Sequence, residues 1–450
     1  MNKTLIKNGT LVNEGQQYQA DILIDGQYIQ KIDRDISYAN ANIIDAKGLH
    51  VLPGMIDDQV HFREPGFTHK ADIRTESMAA VAGGITSFMD MPNTYPNTLT
   101  QDLLEQKYQI AEHSSLANYS FFMGISQSNL EEALKTDLEN VCGLTDDGLY
   151  FDNDQGIMAN HPEFLEKLFK RSPHIITLHS ESDAIIAKNT EQFIDKYGLD
   201  IPPSAHAEIR SEAACLATTN QILELAKKHQ NRLHIYHIST AKEAFLLDAG
   251  SDVKSKRITG EACIHHLWFS ADDYERLGFK IKWNPSVKSE LNRQELLRAV
   301  KDNYIDIFAT DHAPHTLAEK QGNYFESMSG GPLVQHALVA LLEFYHQGVF
   351  SLETIVNKSA HKVADLYRLR NRGYLKEGYY ADLCLVNLNK PWKVIDANSF
   401  YKCGWTPFVN TSFKSRIETT FVNGIIVYNN GHFNTSTKGN RLMFEKDRFN

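Results

Sequence analysis

The fold of this 450-residue chain is indicated most directly by one stretch, Asp57-Asp58-Gln59-Val60-His61-Phe62-Arg63-Glu64-Pro65-Gly66. Because residues two apart on a β-strand face the same way, Asp57, Gln59 and His61 would line one face and could converge on a metal. Two histidines at this spacing would form half of a zinc site. Gln59 stands in the first of these positions, and its neutral amide oxygen is a far poorer zinc ligand than an imidazole nitrogen. The stretch therefore predicts a strand on which His61 could bind a metal, with Gln59 as a poor second ligand.

Length and composition fit a large enzyme. A chain of 450 residues accommodates an α/β barrel, which needs roughly 250 residues, together with a smaller appendage. No apolar run reaches the roughly 18 residues of a membrane span, and the N-terminal residues lack a secretory signal, so we expect a cytoplasmic protein without a membrane partner. The net charge of −10 disfavours a nucleic-acid partner, which would require a basic patch.

The middle of the chain alternates short apolar runs with helix-length segments, a pattern typical of βα units around a parallel sheet. Eight candidate strands begin near Gly54, Ile85, Asn118, Val141, His174, Arg232, Arg257 and Ile305. We therefore predict an α/β fold with a (β/α)8 TIM-like barrel over residues 53–370. Active sites of such barrels lie at the carboxyl ends of the strands, where we expect the polar groups that end these runs to meet.

Both ends of the chain carry β-prone runs that are separated by turn signals. Residues 1–52 contain Asp21-Ile22-Leu23-Ile24, and residues 371–450 contain Thr420-Phe421-Val422-Asn423-Gly424-Ile425-Ile426-Val427. We expect the two ends to build one small β-sandwich domain together.

The motifs resemble those of the cyclic amidohydrolases and, among them, of dihydroorotases of the Asp-Asp-Gly type. The first barrel strand of that family usually reads Asp-x-His-x-His-Phe-Arg-Glu-Pro-Gly, and everything but the first His matches. The likeness continues in order through Met91-Pro92-Asn93-Thr94, Thr145-Asp146-Asp147-Gly148, His179-Ser180-Glu181, His234-Ile235-Tyr236-His237-Ile238-Ser239-Thr240, Asn284-Pro285 and Ala309-Thr310-Asp311-His312-Ala313-Pro314-His315. Each motif is weak alone, but their order makes the resemblance specific.

Candidate metal ligands follow from the strand ends and from this resemblance. His179 and His237 close two neighbouring predicted strands, as a rigid zinc site requires, and both match ligands of the family, as does His61. The resemblance implies a strand-four aspartate that bridges two metals. The motif favours Asp147 for this role, with Asp146 in reserve.

The resemblance also bears on how many metals bind. The site of Asp147, His179 and His237 keeps its usual groups, whereas the site of His61, Asp311 and the missing histidine is weakened. We therefore predict one firmly bound Zn²⁺ and a second that is weak or absent.

Other histidines are expected to have supporting roles. His234 precedes His237 by three residues and should face away from it, so a contact between barrel and helix is favoured. His265 and His266 resemble a family pair, for which we expect support rather than ligation.

Asp311 is the candidate catalytic residue, because a carboxylate beside the metal can take a proton from water and deliver it to the leaving nitrogen. The planar donors of Arg63 match a carboxylate. The resemblance implies substrate contacts from Asn93, Asn284 and His315 as well. Gly330 and Gly331 form a candidate substrate loop.

The resemblance implies a zinc-dependent dihydroorotase. It would reversibly interconvert N-carbamoyl-L-aspartate and (S)-dihydroorotate in pyrimidine biosynthesis. A homodimer is the default for a soluble enzyme, and the oligomeric state stays open.

Three alternatives remain at this point. An allantoinase or hydantoinase would share the barrel but would typically carry a bridging lysine on strand four. A catalytically silent homologue could serve as a structural partner of aspartate carbamoyltransferase, a reading that Gln59 supports and the retained Asp311 and Arg63 oppose. A metal-binding barrel with another substrate is the third, since a fold does not determine function.

Overall fold

The computed structural model describes residues 3–149 and 157–445. The last residues of the predicted 371–450 segment, 446–450, and residues 1–2 of the predicted 1–52 segment lie outside the described residues.

Short strands and helices alternate along most of the chain. The strands are β1 (Thr4–Asn13), β2 (Gln16–Asp25), β3 (Tyr28–Asp33), β4 (Asn42–Asp45), β5 (His50–Pro53), β6 (Met55–Val60), β7 (Ile85–Asp90), β8 (Asn118–Phe121), β9 (Met123–Gly124), β10 (Leu144–Thr145), β11 (Ile176–Leu178), β12 (Leu233–Ile235), β13 (Ile258–Cys263), β14 (Ile307–Ala309), β15 (Leu383–Asn387), β16 (Trp392–Lys393), β17 (Ser412–Phe413), β18 (Arg416–Val422), β19 (Ile425–Asn429) and β20 (His432–Phe433).

The helices lie mostly between the parallel strands. They are α1 (Ile73–Ala82), α2 (Gln101–Ser114), α3 (Leu130–Ala133), α4 (Pro162–Arg171), α5 (Asp183–Tyr197), α6 (His206–Ile209), α7 (Glu212–His229), α8 (Ala241–Ala244), α9 (Ile264–Trp268), α10 (Tyr274–Leu277), α11 (Glu290–Lys301), α12 (Ala337–His346), α13 (Leu352–Val356) and α14 (Lys362–Tyr367). Among the described residues, no helix combines the length and apolarity that a membrane crossing requires.

Parallel strands run through the middle of the chain. They form one sheet of order β6-β7-β8 and a second of order β14-β13-β12-β11-β10-β9. Backbone contacts join the two: Val60 and His312 form a parallel bridge, and the N–H of His61 donates to the carbonyl oxygen of His312 over 2.8 Å. The arrangement is α/β with parallel sheets and is consistent with the predicted barrel.

Both chain ends contribute to a separate nine-stranded sheet. Its order is β20-β19-β18-β15-β5-β1-β2-β3, with β4 paired to β1. Strand β15 lies antiparallel to β5, with Leu383 opposite Pro53. One face of this sheet buries its own apolar cluster, which includes Ile22, Leu383 and Phe421. The two chain ends therefore share one sheet.

Strands β6 and β7 are buried at every residue, as is usual for parallel strands that helices cover. Local signals fix several helix starts: Asp72 and Thr75 form a capping box before α1, and the hydroxyl of Thr100 caps α2. These elements hold the strand ends in place, and the polar residues of the site lie at those ends.

Candidate active site

A pocket of about 660 Å³ opens at the carboxyl ends of the parallel strands. Its lining includes most of the predicted site residues: His61, Arg63, Asn93, Asp147, Asn284, Asp311 and His315. His179 and His237 are buried at its base, where both contact Asp147. Residues more than 200 positions apart in sequence are thus brought together, as the predicted topology requires.

Two groups of donor atoms share Asp147. In the first, Nδ1 of His179 lies 3.7 Å and Nε2 of His237 lies 3.6 Å from Oδ1 of Asp147, and the two nitrogens are 3.1 Å apart. In the second, Nε2 of His61 lies 3.3 Å from Oδ2 of Asp147 and 3.1 Å from Oδ1 of Asp311. Each group could hold a metal ion.

Neighbouring groups orient two of the imidazoles. Nδ1 of His61 lies 2.8 Å from Oδ1 of Asn93, and Nε2 of His179 lies 2.7 Å from Oε2 of Glu181. If these nitrogens carry the hydrogens, the lone pairs of the other ring nitrogens point at Asp147 and Asp311. A nitrogen lone pair and a carboxylate oxygen repel each other, so this arrangement is stable only when a metal ion or a proton lies between them. The nitrogen and oxygen donors fit a zinc ion, which prefers such ligands.

Without a metal, protons supply that charge. Burial alone would lower the pKa of His61, but hydrogen bonds to Asp147 and Asp311 outweigh it and raise the pKa to about 9. Burial alone would also lower the pKa of His179, but hydrogen bonds to Asp147 and Glu181 raise it to about 9. Burial would raise the pKa of Asp147, yet hydrogen bonds from the three histidines hold it well below its usual range.

The neighbouring Asp146 faces elsewhere. Its two carboxylate oxygens accept hydrogen bonds from the backbone N–H groups of His179 and Met158, over 3.1 Å and 3.0 Å. Asp147, rather than Asp146, therefore lies among the candidate ligands.

Asp57 does not join these donor groups, contrary to the expectation that it would converge with His61. Its Oδ2 accepts a hydrogen bond from the hydroxyl of Thr310 over 2.6 Å, and its Oδ1 accepts one from the Thr310 N–H. Gln59 does reach the donors, because its Nε2 lies 3.1 Å from Oδ2 of Asp147.

Predicted substrate residues line the same pocket. Nη2 of Arg63 lies 3.1 Å from Nε2 of His315, and its Nε donates to the carbonyl oxygen of Pro314. The buried Oδ1 of Asn284 has no hydrogen-bond partner in the described part of the chain. Gly330 lines the pocket at φ +123°, where a Cβ would lie 2.5 Å from the carbonyl oxygen of Ala313, so this position requires glycine.

Three residues of the site adopt left-handed backbone conformations although they are not glycine: Arg63 at φ +69°, His237 at φ +35° and Asp311 at φ +49°. Such conformations are costly and persist where the surrounding structure enforces them, often at functional sites. Arg63 and Asp311 line the pocket, and His237 contacts the lining residue Asp147.

His234 contacts both a helix and the neighbouring strand. Its ring lies edge-on to Tyr367 of α14, with ring centroids 6.3 Å apart. Its Nδ1 also contacts the hydroxyl of Thr259, and its Nε2 lies 3.1 Å from Glu261, both on strand β13. His265 stacks on Trp283, and His266 donates to the carbonyl oxygen of Pro285, so both support the pocket wall.

Sequence reasoning missed three polar residues near the site. Glu181 contacts His179 and forms a buried ion pair with Arg210. Nζ of Lys70 lies 3.1 Å from Nδ1 of His315. The spacing of Glu181, two positions after His179, was the available signal; the others come from distant segments with no local pattern.

The model of the amidohydrolase family matches residues 50–427. The chain belongs to the amidohydrolase family. It is therefore a hydrolase, and its relatives indicate action on cyclic amides.

Several amidohydrolases of known identity are similar along nearly their whole length. A dihydroorotase of Lactobacillus johnsonii is 31% identical, over 95% of this chain and 99% of the relative. An allantoinase of Deinococcus radiodurans is also 31% identical, over 98% of both chains. The structure of the L-hydantoinase from Arthrobacter aurescens superposes with a TM-score of 0.89 at 24% identity, covering 96% of this chain and 98% of that one, which establishes a common fold.

Proposed function

We propose that this amidohydrolase is a zinc-dependent dihydroorotase that reversibly converts N-carbamoyl-L-aspartate to (S)-dihydroorotate in pyrimidine biosynthesis. The observation that carries the proposal is that Arg63 and His315 line the same pocket as His61, Asp147 and Asp311. Such a pocket offers a carboxylate-binding fork beside a hydrolytic centre. Dihydroorotase relatives over 95% of the chain support the same reading.

The metal would be held by Asp147, His179 and His237, with a second, weaker position at His61, Asp147 and Asp311. One zinc is proposed to bind firmly, because Gln59 stands where a further imidazole would complete the second position. When bound, zinc polarises the amide carbonyl and makes water a better nucleophile.

The residues of the chain would act as follows. Asp311 accepts the proton of the attacking water and delivers it to the leaving ring nitrogen. Arg63, Asn93 and His315 anchor the substrate carboxylate, and Asn284 offers its amide oxygen, which has no hydrogen-bond partner among the described residues, to a ring N–H. The reverse sequence closes the ring.

Wider features of the protein belong to the same proposal. The bridge between Val60 and His312 supports closure of the parallel strands into a (β/α)8 barrel over residues 53–370. The sheet of both chain ends would fold on itself as a β-sandwich. The cytoplasmic location, a homodimer and an association with aspartate carbamoyltransferase stay predictions from the sequence.

Allantoin hydrolysis is the second candidate, because the Deinococcus allantoinase is as similar in sequence as the dihydroorotases. The aspartate at position 147 argues against it, since a bridging lysine is expected there in that class. The silent-homologue alternative is opposed by the convergence of His61, His179, His237 and Asp311 on Asp147.

A substrate panel tests the proposal. Zinc-loaded protein should hydrolyse dihydroorotate and leave allantoin and 5-substituted hydantoins nearly untouched. Turnover of allantoin or hydantoins instead would show that the protein is an allantoinase or a hydantoinase and not a dihydroorotase. No turnover of any of the three, together with co-purification of aspartate carbamoyltransferase from cell extract, would favour the silent partner.

A further inference from the structure

Two buried lysines stand behind one wall of the pocket. Lys282 is 6% exposed and Lys320 is 5% exposed. A charged ammonium is rarely buried to this degree without a carboxylate partner. Neither lysine is used by the proposed chemistry, so their burial calls for another explanation.

The hydrogen bonds of both ammonium groups go to backbone carbonyls of the loop that forms this wall. Nζ of Lys282 donates to the carbonyl oxygens of Tyr324 and Ser327, each over 2.6 Å. Nζ of Lys320 donates to those of Met328 and Gly330, over 2.6 Å and 2.8 Å. Met328 and Gly330 line the pocket, so the amino group of Lys320 lies one peptide unit behind its surface.

The surrounding charges do not neutralise the pair. Glu319, the acid that faces Lys320, is already bonded to Lys70 over 3.0 Å and to the backbone N–H of Thr316. Arg63 and Lys70 add further positive charge on the pocket lining. Within the described residues, the salt bridges found include none to Lys282 or Lys320.

Burial and like charges accordingly disfavour the ammonium forms. Burial, with Arg210 as a second cause, lowers the pKa of Lys282 to about 7. Burial, Lys282 and Arg63 lower the pKa of Lys320 well below its usual value. A negative charge in the pocket would relieve this repulsion and favour both charged forms.

We propose that Lys282 and Lys320 are specificity-determining residues that select substrates carrying a carboxylate, through their charge and without direct contact. The inference rests on the proposed function of the same pocket. In it, the two lysines attract the substrate carboxylate from behind the pocket wall, in addition to the direct contact with Arg63. Unit charges several ångströms apart in a partly dry site interact strongly enough to change affinity about tenfold.

The test compares an anion with its neutral ester. Orotate and methyl orotate share one ring, and calorimetric titration gives the affinity of each for zinc-loaded wild type, Lys282→Met and Lys320→Met. Each substitution should weaken orotate binding about tenfold and leave methyl orotate unchanged, while Lys320→Arg should retain orotate binding. Equal weakening of both ligands would show a merely structural role for the loop and overturn the proposal, as would no change in either.

Lys358→Met is the matched control. Lys358 is 1% exposed, and its Nζ donates to the carbonyl oxygen of Ile305 over 2.6 Å, outside the pocket lining. It should alter neither affinity. If the methionine variants do not fold, Lys282→Gln and Lys320→Gln take their place in the same comparison, and equal weakening of both ligands would again overturn the proposal.

Failure of the proposed function gives a different result. A protein that hydrolyses hydantoins rather than dihydroorotate would be tested with hydantoin-5-acetate and its methyl ester. Tighter binding of the acid than of the ester, lost in the lysine variants, would support the inference. Equal affinity for acid and ester would contradict it.

Discussion

Gln59 donates a hydrogen bond from Nε2 to Oδ2 of Asp147 over 3.1 Å, while its Oε1 lies 3.4 Å from Sγ of Cys263. The reverse amide orientation would set two oxygens against each other, so the side chain presents a donor to the candidate metal groups. Gln59 therefore stabilises the shared carboxylate and offers no metal ligand. This contact gives a structural reason to expect one firmly bound metal rather than two.

Gln59→His should complete the weaker metal position, because an imidazole would replace the amide beside His61 and Asp147. Metal content measured by mass spectrometry after dialysis should rise from about one to about two zinc ions per chain. Gln59→Leu, which supplies no ligand, is the control and should stay at about one. Two tightly held zinc ions in the wild type would contradict the prediction.

Glu181→Gln should weaken metal binding, because Glu181 holds Nε2 of His179 over 2.7 Å and keeps Nδ1 aimed at Asp147. Loss of such a partner typically lowers metal affinity about 10- to 100-fold. Titration against a competing chelator measures the change. Glu166→Gln, which removes a surface contact to Lys228, should have no effect. An unchanged affinity in Glu181→Gln would show that the contact with His179 does not support metal binding.

Metal affinity should rise with pH up to about 9. In the metal-free protein the pKa values of His61 and His179 are both about 9, so below that pH both rings carry protons that a metal must displace. Calorimetry in buffers of different ionisation enthalpy should detect release of about one proton from His179 when zinc binds at pH 7, and a second where His61 also coordinates. Affinity that does not vary between pH 7 and 9 would contradict this pH dependence.

Gly330→Ala should damage both the pocket and the fold. At φ +123° the new Cβ would approach the carbonyl oxygen of Ala313 to 2.5 Å. Thermal unfolding should show a loss of about 2 kcal/mol, with a raised KM. Gly348→Ala is a matched control, since Gly348 has φ +73° but open space around it, and should lose only about 1 kcal/mol with KM unchanged. Equal effects on KM would contradict a pocket role for Gly330.

Much of the fold was predictable from local patterns. Each predicted strand start lies within three residues of an observed strand, as with Val141 and β10 at Leu144, because short apolar runs between helical segments are distinctive. The convergence of the site residues was also predictable, because parallel strands bring their carboxyl ends to one edge. These residues are His61, Asp147, His179, His237 and Asp311.

Interactions between distant segments could not be predicted. Asp57 has the spacing of a ligand, but Thr310 on another strand supplies a hydroxyl and an N–H that bind it. His234 faces Glu261 because strands β12 and β13 pair in a particular register, with His234 opposite Thr259. Such outcomes depend on which strands and loops become neighbours, which a periodic pattern does not encode.

The central claim is most directly tested by the hydrolysis of dihydroorotate by purified protein of known zinc content, before chelation, after chelation and after zinc is restored. We predict turnover that disappears with the metal and returns at about one zinc per chain. Asp311→Asn should keep the zinc and lose the turnover. Absence of dihydroorotate hydrolysis in the zinc-restored wild type would contradict the assignment.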